Sequence, residues 1–181
     1  MGAGVLPFAV IDGEVCFLFQ KTFTGRKVGY FIDFGGGLGE GEDYRETAIR
    51  EFVEETETMY FASDVQRASR TIESVKNQIP IVKALFDETL AVHPDWCCRR
   101  VPGNPLKPKQ WQTFFIEFPY RDIDVLNREW ENDTVSRFKK RRELVWVAGS
   151  ESLEIYDRAP DMLWKRVLQL ENAKKTIHSI V

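Results

Sequence analysis

The pattern of apolar and polar positions along the chain predicts a sheet interrupted by helices. Two short apolar runs, 9–11 and 15–19, flank Asp12-Gly13, a favoured two-residue hairpin turn. Short runs that are typical of further strands occur at 30–34, 79–86, 112–118 and 144–148. The chain is therefore expected to begin with a hairpin and to build a sheet from segments spread over its whole length.

Helical periodicity occurs in two segments, 44–60 and 161–177. The resulting order of strands, helix, strands and helix predicts an α+β fold with a mixed sheet packed between helices. The length of 181 residues suits one domain spanning residues 1–181. Irregular insertions are expected near 92–111, which is rich in proline, and near 121–142, which is polar and charged.

The composition indicates the compartment of the protein and the partners it is expected to have. The chain is 43% apolar, yet no stretch approaches the roughly 18 apolar residues needed to cross a bilayer, so no membrane association is expected. The apolar N-terminus has no basic leader, and we interpret it as a strand. Cys16, Cys97 and Cys98 form no disulfide framework or paired zinc motif, which favours a reducing cytoplasm. The net charge of −3 does not favour nucleic acid as a partner.

The helix predicted at 44–60 carries three carboxylates on one face. At about 100° per residue, Glu55 lies roughly 40° to one side of Glu51 and Glu54 roughly 60° to the other. Like charges at this spacing repel each other, and bound cations would remove that cost. Carboxylate oxygens suit Mg²⁺ or Mn²⁺. A solvated acidic face is the simpler interpretation of a charge run alone.

Two neighbouring features favour the metal interpretation. Arg50 is placed to pair with Glu54 one helical turn later and to orient a carboxylate. A glycine-rich loop at 35–41 leads into the helix, and glycines allow the backbone to approach a ligand closely. Together they make a phosphate-handling site a stronger hypothesis than a solvated surface.

The spacing of these residues resembles the signature of the Nudix hydrolase family. The matching positions are Gly36, then after five residues Glu42, then after seven residues Arg50-Glu51, an apolar Phe52, one residue, and Glu54-Glu55. The chain departs from the signature at Glu57-Thr58, where the family has glycine and an apolar residue. Glycine there would end the helix in a left-handed conformation, so the exit from this helix is left open.

The resemblance implies an α/β/α sandwich and a divalent-metal-dependent hydrolase that cleaves a phosphoanhydride bond of a nucleoside diphosphate linked to another group, X. It implies a small nucleotide as substrate, Mg²⁺ or Mn²⁺ as cofactor and, as in many members, a homodimer. By position, the metal ligands would be Glu54 and Glu55, with Glu51 as a third ligand or as the group that positions water. Gly36 would offer a carbonyl, Arg50 would act with the carboxylates, and Gly37 and Glu42 would support the loop.

The catalytic base and the substrate contacts are less defined by the sequence. Family members often take the base from a late loop, where Glu129, Glu131, Asp133 and Glu143 are candidates and Glu131 and Glu143 are preferred. Phosphate contacts are expected from Arg26 and Lys27, with Lys21 and the basic run 137–142 as further candidates. Trp96, Trp111 and Trp130 are candidates for stacking a base, whereas Trp146 is expected in the core.

A function from a different class remains open alongside hydrolysis. The departure at Glu57-Thr58 and the basic run 137–142 are compatible with a catalytically weak Nudix-like module that binds a nucleotide or RNA. Such a module would bind its ligand without turnover. All the carboxylates of the signature are present, so hydrolysis is the preferred prediction.

Overall fold

A computed structural model describes residues 1–101, 106 and 110–181. Six strands form one sheet, and helices cover both of its faces. The strands are β1 (Gly2–Ile11), β2 (Glu14–Thr22), β3 (Phe34–Gly37), β4 (Cys97–Arg99), β5 (Trp111–Glu117) and β6 (Arg142–Ala148). The α-helices are α1 (Tyr44–Glu55), α2 (Ile72–Val92), α3 (Asp124–Glu131), α4 (Gly149–Arg158), α5 (Lys165–Leu168) and α6 (Ala173–Ile180), and a 3₁₀ turn spans Pro160–Met162.

The sheet is mixed. Its strand order is β4-β5-β1-β2-β6, and β3 also pairs with β1. The β1–β5 pair is parallel, and the remaining pairs are antiparallel. The predicted hairpin joins β1 to β2 through Asp12 and Gly13, whose φ angles of 50° and 80° are those of a primed turn. The α/β/α sandwich with a mixed sheet is therefore confirmed.

Two apolar cores lie on opposite faces of the sheet. One contains Phe52 of α1, Phe86 of α2 and Trp130 of α3, all fully buried. The other contains Phe17 and Phe115 of the sheet packed against helices near the C-terminus. Burying both faces explains why β1, with eight consecutive buried residues, does not alternate between apolar and polar positions.

The strand predicted at 79–86 is wrong, because this segment lies inside α2. Residues Val75, Val82, Phe86 and Leu90 are buried and recur at helical intervals. Pro80 lies within the helix, where it lacks an N–H for the helical ladder, and it is flanked by β-branched residues. This local composition favours a strand, but burial of a helical stripe against the sheet decides the outcome.

Other boundaries also differ from the prediction. The segment 161–177 is broken into the 3₁₀ turn, α5 and α6, with Asn172 in a left-handed conformation before α6. The predicted strand 30–34 contributes isolated bridges at Phe31 and Ile32, and β3 starts only at Phe34. The insertion near 121–142 contains α3. Of the insertion near 92–111, residues 102–105 and 107–109 lie outside the described residues.

The helices can also be assessed by the length and hydrophobicity of a membrane-spanning helix. Within 1–101, 106 and 110–181, none combines the length and the apolar character that crossing a bilayer requires.

Candidate functional site

A polar cavity opens where the sheet splits between β1 and β2. The two strands pair only from Phe8 to Ile11 of β1, and the first residues of β1 pair instead with β3. The gap brings β2, β3 and α1 together around a cavity of about 560 Å³. Its lining residues are Gln20, Thr22, Thr24, Gly25, Lys27, Ile32, Gly35, Glu51, Glu54, Glu55, Arg70, Lys139, Lys140 and Arg142.

Helix α1 places the three predicted carboxylates in this cavity. The helix begins with a capping box, in which Asp43 and Glu46 each accept a hydrogen bond from the other's backbone N–H. Its apolar stripe, including Phe52 and Val53, is buried against the sheet. Glu51, Glu54 and Glu55 then face the cavity together, as the helical angles predict.

Arg50 ties the acidic cluster to the glycine-rich loop. Its Nε and Nη2 donate to both oxygens of Glu42 at 2.7 and 3.0 Å, and its Nη1 donates to Glu51 at 2.9 Å and to Glu54 at 3.1 Å. Nη2 also donates to the carbonyl of Gly37 at 3.2 Å. The hydrogen bond from Arg50 is the main reason that the pKa of Glu42 falls to about 2. One guanidinium therefore fixes the orientation of three carboxylates.

Glu55 is the most buried member of the acidic cluster, with 9% of its surface exposed. Its Oε1 accepts a hydrogen bond from the backbone N–H of Gly35 at 2.6 Å. Its Oε2 accepts from Gln20 and, at 2.8 Å, from Arg142. Three of the roughly four acceptor positions of this carboxylate are thus used by the protein itself.

A buried ion pair behind β3 fixes the strand that contacts Glu55. Arg166 of α5 donates from Nε to Oδ1 of Asp33 at 2.6 Å, and Thr113 donates to the other carboxylate oxygen at 2.8 Å. The Arg166 guanidinium also lies over the ring of Trp111, 4.2 Å from its centroid. Because Asp33 directly precedes β3, this network holds Gly35 in place for its contact with Glu55.

Glu51 lies against the backbone of Gly36. A Cβ at Gly36 would lie 2.5 Å from the Glu51 carboxyl carbon, so a larger residue here would displace the Glu51 carboxylate. Burial raises the pKa of Glu51, and the negative charges of Glu55 and Glu54 raise it further, although Arg50 opposes the shift. Glu51 therefore still experiences repulsion from its acidic neighbours despite the hydrogen bond from Arg50.

The helix ends at Glu57-Thr58 without the glycine of the signature. Glu57 and Thr58 both adopt left-handed φ angles, 52° and 59°. The N–H of Thr58 donates to the carbonyl of Val53 and that of Glu57 to the carbonyl of Glu54, each at 3.0 Å, which is a Schellman ending. The exit that the sequence left open is thus the ending that glycine would give, made with a strained glutamate.

Five cationic side chains line the same cavity as the acidic cluster. We call Lys27, Arg70, Lys139, Lys140 and Arg142 the basic wall. Arg70 pairs with Glu54 at 3.1 Å and Arg142 with Glu55 at 2.8 Å. Within the described part of the chain, Lys27, Lys139 and Lys140 form no ion pair.

The basic run 137–142 is divided between structural and cavity-facing positions. Arg137 pairs with Glu129 and donates to the carbonyls of Val65 and Ala68. Phe138 is in the core, and Arg141 stacks on Phe23, 3.9 Å from the ring centroid. The remaining members face the cavity, so the run is not one continuous cationic surface.

The late carboxylates lie away from the cavity. Glu143 is paired in register with Lys21 on the opposite face of the sheet from Gln20 and Arg142, because side chains alternate along a strand. Glu131 is exposed at the end of α3. Asp133 accepts hydrogen bonds from two backbone N–H groups, those of Arg137 and Phe138. None of them is among the residues that line the cavity.

The candidate substrate contacts separate in a similar way. Lys27 lines the cavity, whereas Arg26 is exposed outside its lining. Trp96 and Trp130 are buried in the two cores. Trp111 packs under Arg166, so none of the three tryptophans faces the cavity. Trp146 packs against the first core, as predicted.

Among the cavity residues that the sequence analysis did not find, Gln20 and Arg70 contact the acidic cluster. Gln20 begins the polar end of β2, before Lys21 and Thr22, so the sequence gives no sign that its amide is buried. Arg70 lies in an irregular segment far from the acidic helix in sequence, and only the folded chain brings it to Glu54. No local pattern identifies it.

The carboxylates of the cavity are possible ligands for a divalent cation. Among the described residues, no group of three carboxylate, histidine or cysteine side chains has metal-binding geometry. Arg50, Arg70 and Arg142 engage the carboxylates instead. The chemistry of the donors nevertheless fits Mg²⁺ or Mn²⁺, because carboxylate oxygens with a glycine-lined approach are what these ions prefer. Burial raises the pKa of Glu51 most, and the charges of Glu55 and Glu54 raise it further; a bound cation would relieve this repulsion among the carboxylates.

Comparison with known proteins supports the fold. By sequence, no protein-family model and no curated protein matches the chain. By structure, the chain is similar to the binary complex of a C. elegans Ap4A hydrolase, with 15% identity, a TM-score of 0.50, and coverage of 99% of this chain and 93% of that one. It is also similar to the Nudix hydrolase RenU from M. smegmatis, with 13% identity, a TM-score of 0.49, and coverage of 99% and 86%. A mutT/nudix family protein from Listeria innocua has 15% identity, a TM-score of 0.49, and coverage of 99% and 91%.

The similarity to the Ap4A hydrolase, with its TM-score of 0.50, defines the class of the fold. The chain has the fold of the Nudix hydrolases, and the resemblance of the segment 36–55 to the family signature agrees with it.

Proposed function

We propose that the protein is a divalent-metal-dependent hydrolase that cleaves a phosphoanhydride bond of a nucleoside diphosphate linked to another group. The observation that carries the proposal is the convergence of Glu51, Glu54 and Glu55 in one cavity that the basic wall also lines. Carboxylates bind the metal that phosphoryl transfer needs, and cations bind the phosphates. Few other reactions require both in one cavity.

The roles of the acidic residues follow from their surroundings. Glu54, with 22% of its side chain exposed, and Glu51, with 16%, are accessible to a cation in the cavity, and Glu55 would complete the ligand set. The bound Mg²⁺ or Mn²⁺ would neutralise phosphoryl oxygens and lower the pKa of a bound water. Glu51 would also position the attacking water, since none of the late carboxylates lines the cavity.

Other residues would prepare the site. Arg50 holds Glu51 and Glu54 in their orientation, so the cluster is preorganised before the substrate arrives. Lys27, Lys139 and Lys140 are free of ion pairs within the described residues and would bind phosphate oxygens. The small-molecule nucleotide is thus expected to enter with its phosphates between the basic wall and α1.

The test is a hydrolysis screen with Mg²⁺ and with Mn²⁺ over nucleotide sugars, dinucleoside polyphosphates including Ap4A, ADP-ribose and nucleoside triphosphates. Glu54→Gln and Glu51→Gln are expected to lower kcat by at least about 100-fold, because each removes a charge that acts on the metal or the water. Glu73→Gln, an exposed glutamate on α2, is the matched control. Full turnover by both Glu51 and Glu54 variants would refute the proposal.

A second function, nucleotide binding without hydrolysis, is favoured by one observation. Arg70 and Arg142 already pair with Glu54 and Glu55, as a cation would. The two functions differ in outcome: a binding module would hold a nucleotide but release no product with any metal. The division of the run 137–142 between core and cavity gives no continuous surface for RNA.

A further inference from the structure

The segment 162–166, near the C-terminus, pairs with the residues that lead into β3. The N–H of Phe31 donates to the carbonyl of Met162 at 2.7 Å, and the N–H of Trp164 donates to the carbonyl of Phe31 at 3.0 Å. The ring of Trp164 also lies edge-on to that of Tyr30, with 5.4 Å between the centroids. Two segments that are distant in the sequence are therefore joined next to a strand of the cavity.

Arg166 extends this contact with a two-point grip on Asp33. Its Nε donates to Oδ1 of Asp33 at 2.6 Å, and its Nη2 donates to the backbone carbonyl of the same residue at 3.2 Å. Asp33 is fully buried, and 7% of Arg166 is exposed. The donors of a guanidinium lie in one rigid plane, a geometry that a lysine ammonium lacks. The pair therefore fixes the backbone of Asp33 as well as its side chain.

Two of the three hydrogen bonds that Glu55 accepts depend on the position of Asp33. Gly35, two residues later, donates its N–H to Oε1 of Glu55 at 2.6 Å. The carbonyl of Asp33 accepts from Nε2 of Gln20 at 3.0 Å, and the same Nε2 donates to Oε2 of Glu55. The third hydrogen bond comes from Arg142. Both oxygens of Glu55 are thus oriented by groups that Asp33 places.

Neighbours on β1 and β5 confine the Arg166–Asp33 pair. A Cβ at Gly4 would lie 2.7 Å from Oδ2 of Asp33, and Thr113 donates to that oxygen at 2.8 Å. The ring of Trp111 covers the Arg166 guanidinium at 4.2 Å. Close-packed interiors transmit a displacement instead of absorbing it. A change at Arg166 is therefore expected to move β3.

We propose that Arg166 is a positioning residue for the metal site: acting through Asp33, it sets the orientation of Glu55 and thereby the affinity of the site for a divalent cation. The proposal rests on the proposed function, because it takes Glu55 as a metal ligand. Groups that orient a metal ligand from behind are commonly worth about 10- to 100-fold in metal affinity or activity. Arg166 is not among the residues that line the cavity, so it does not itself touch a ligand there.

Mn²⁺ binding to the full chain, followed by electron paramagnetic resonance, tests the proposal. Arg166→Met removes both donors and should weaken Mn²⁺ binding about 10-fold. Arg166→Lys keeps the charge without the planar fork and should also weaken it. Arg100→Met is the matched control, because it removes the same charge from a side chain that donates to Gln169 and not to Asp33. Its affinity for Mn²⁺ should equal that of the unaltered protein.

A second measurement separates positioning from loss of stability, since breaking a buried ion pair also destabilises the fold. The hydrogen bond from the Gly35 N–H to Glu55 is short and charge-assisted, so its amide proton should resonate downfield in the NMR spectrum of the metal-free protein. This signal should move upfield in Arg166→Met. Ile177→Ala truncates a fully buried side chain of α6 and should lower Tm while leaving both the signal and the Mn²⁺ affinity unchanged.

A merely structural role for Arg166 would make Arg166→Met behave like Ile177→Ala, and that result would overturn the proposal. If Arg166→Met does not fold, Asp33→Asn, which keeps the size of the side chain and one acceptor oxygen, takes its place in both measurements. Failure of the proposed function is distinguishable, because the Gly35 signal needs neither metal nor turnover. Loss of Mn²⁺ binding in Glu54→Gln with unchanged binding in Arg166→Met would leave the hydrolase standing without this positioning role.

Discussion

The Arg142 guanidinium donates to the Glu55 carboxylate at 2.8 Å, and 11% and 12% of the two side chains are exposed. The same Nη1 atom donates to Oε1 of Gln20 at 2.7 Å, so β2, β6 and α1 meet at this pair. A buried charge pair of this kind is costly to break, because the remaining charge is left without a partner. Loss of Glu55 from the acidic cluster should therefore destabilise the contact between β2, β6 and α1.

Replacing Glu55 by alanine should destabilise the protein strongly. The change removes the carboxylate that accepts from Arg142, Gln20 and the Gly35 N–H, and a broken buried pair costs about 3–5 kcal/mol. In a chain of this size this corresponds to a fall in Tm of roughly 6–20 °C. Calorimetry or circular dichroism measures it. Glu54→Ala, at a more exposed position, is the control, and an equal fall in both variants would contradict the assignment.

Removing Arg142 should raise the affinity for divalent cations. Its guanidinium competes with a metal for Oε2 of Glu55. Arg142→Gln is expected to tighten Mn²⁺ binding about 10-fold, equivalent to about 1.4 kcal/mol, as measured by electron paramagnetic resonance. Arg141→Gln removes the same charge from the adjacent residue, which stacks on Phe23. If both variants tighten Mn²⁺ equally, net charge and not the ion pair sets the affinity.

The exit from α1 should be more stable with glycine at position 57. Glu57 has a φ of 52°, and a left-handed conformation costs a non-glycine residue about 1–2 kcal/mol. Its Oε1 is also buried without a hydrogen-bond partner among the described residues. Glu57→Gly should therefore raise the free energy of unfolding by about 1 kcal/mol.

Glu57→Ala separates the two causes in that prediction. Alanine removes the buried carboxylate but keeps the backbone strain, so it should be about 1 kcal/mol less stable than the glycine variant. Chemical denaturation of the three proteins gives the comparison. Equal stability of the alanine and glycine variants would show that position 57 carries no strain.

Much of the fold and the acidic half of the site can be predicted from the sequence, because their signals are local. The hairpin is encoded by Asp12-Gly13 between apolar runs, and the shared face of Glu51, Glu54 and Glu55 follows from helical geometry alone. Arg50 lies within about one helical turn of these carboxylates in the sequence, and the glycine-rich loop leads directly into their helix. Residues this close in sequence have relative positions that the helix geometry fixes, whatever the rest of the fold.

The basic half could be predicted only in part: Lys27 and the run 137–142 are candidates from the sequence, but which of these side chains line the cavity depends on contacts between distant segments. Arg70 reaches Glu54 across 16 positions, and Arg142 reaches Glu55 across 87. Local composition was also misleading at 79–86, where β-branched residues around Pro80 suggest a strand and the packing of a helical stripe overrides them. The tryptophans were expected at the site for their chemistry, yet their size places Trp96 and Trp130 in the cores.

The pair Glu42–Arg50 should make the stability of the metal-free protein depend on pH in the acid range. The pKa of Glu42 is lowered from 4.5 to about 2 in the fold, mainly by its hydrogen bond with Arg50. A lowered pKa contributes stability that is fully present above 4.5 and is lost as the pH falls towards 2. Its side chain is 22% exposed, so solvent screening limits the contribution to about 1–2 kcal/mol.

Urea denaturation of the unaltered protein and of Glu42→Gln between pH 2 and 7 measures this contribution. The variant is expected to be less stable by a constant amount above pH 5, and the difference should shrink steadily as Glu42 is protonated below that. Glu57 serves as the opposite case. Because burial raises its pKa, Glu57→Gln should gain stability relative to the unaltered protein as the pH rises, and this gain should vanish in acid. A difference for Glu42→Gln that is independent of pH would show that Arg50 does not hold this carboxylate in its ionised form.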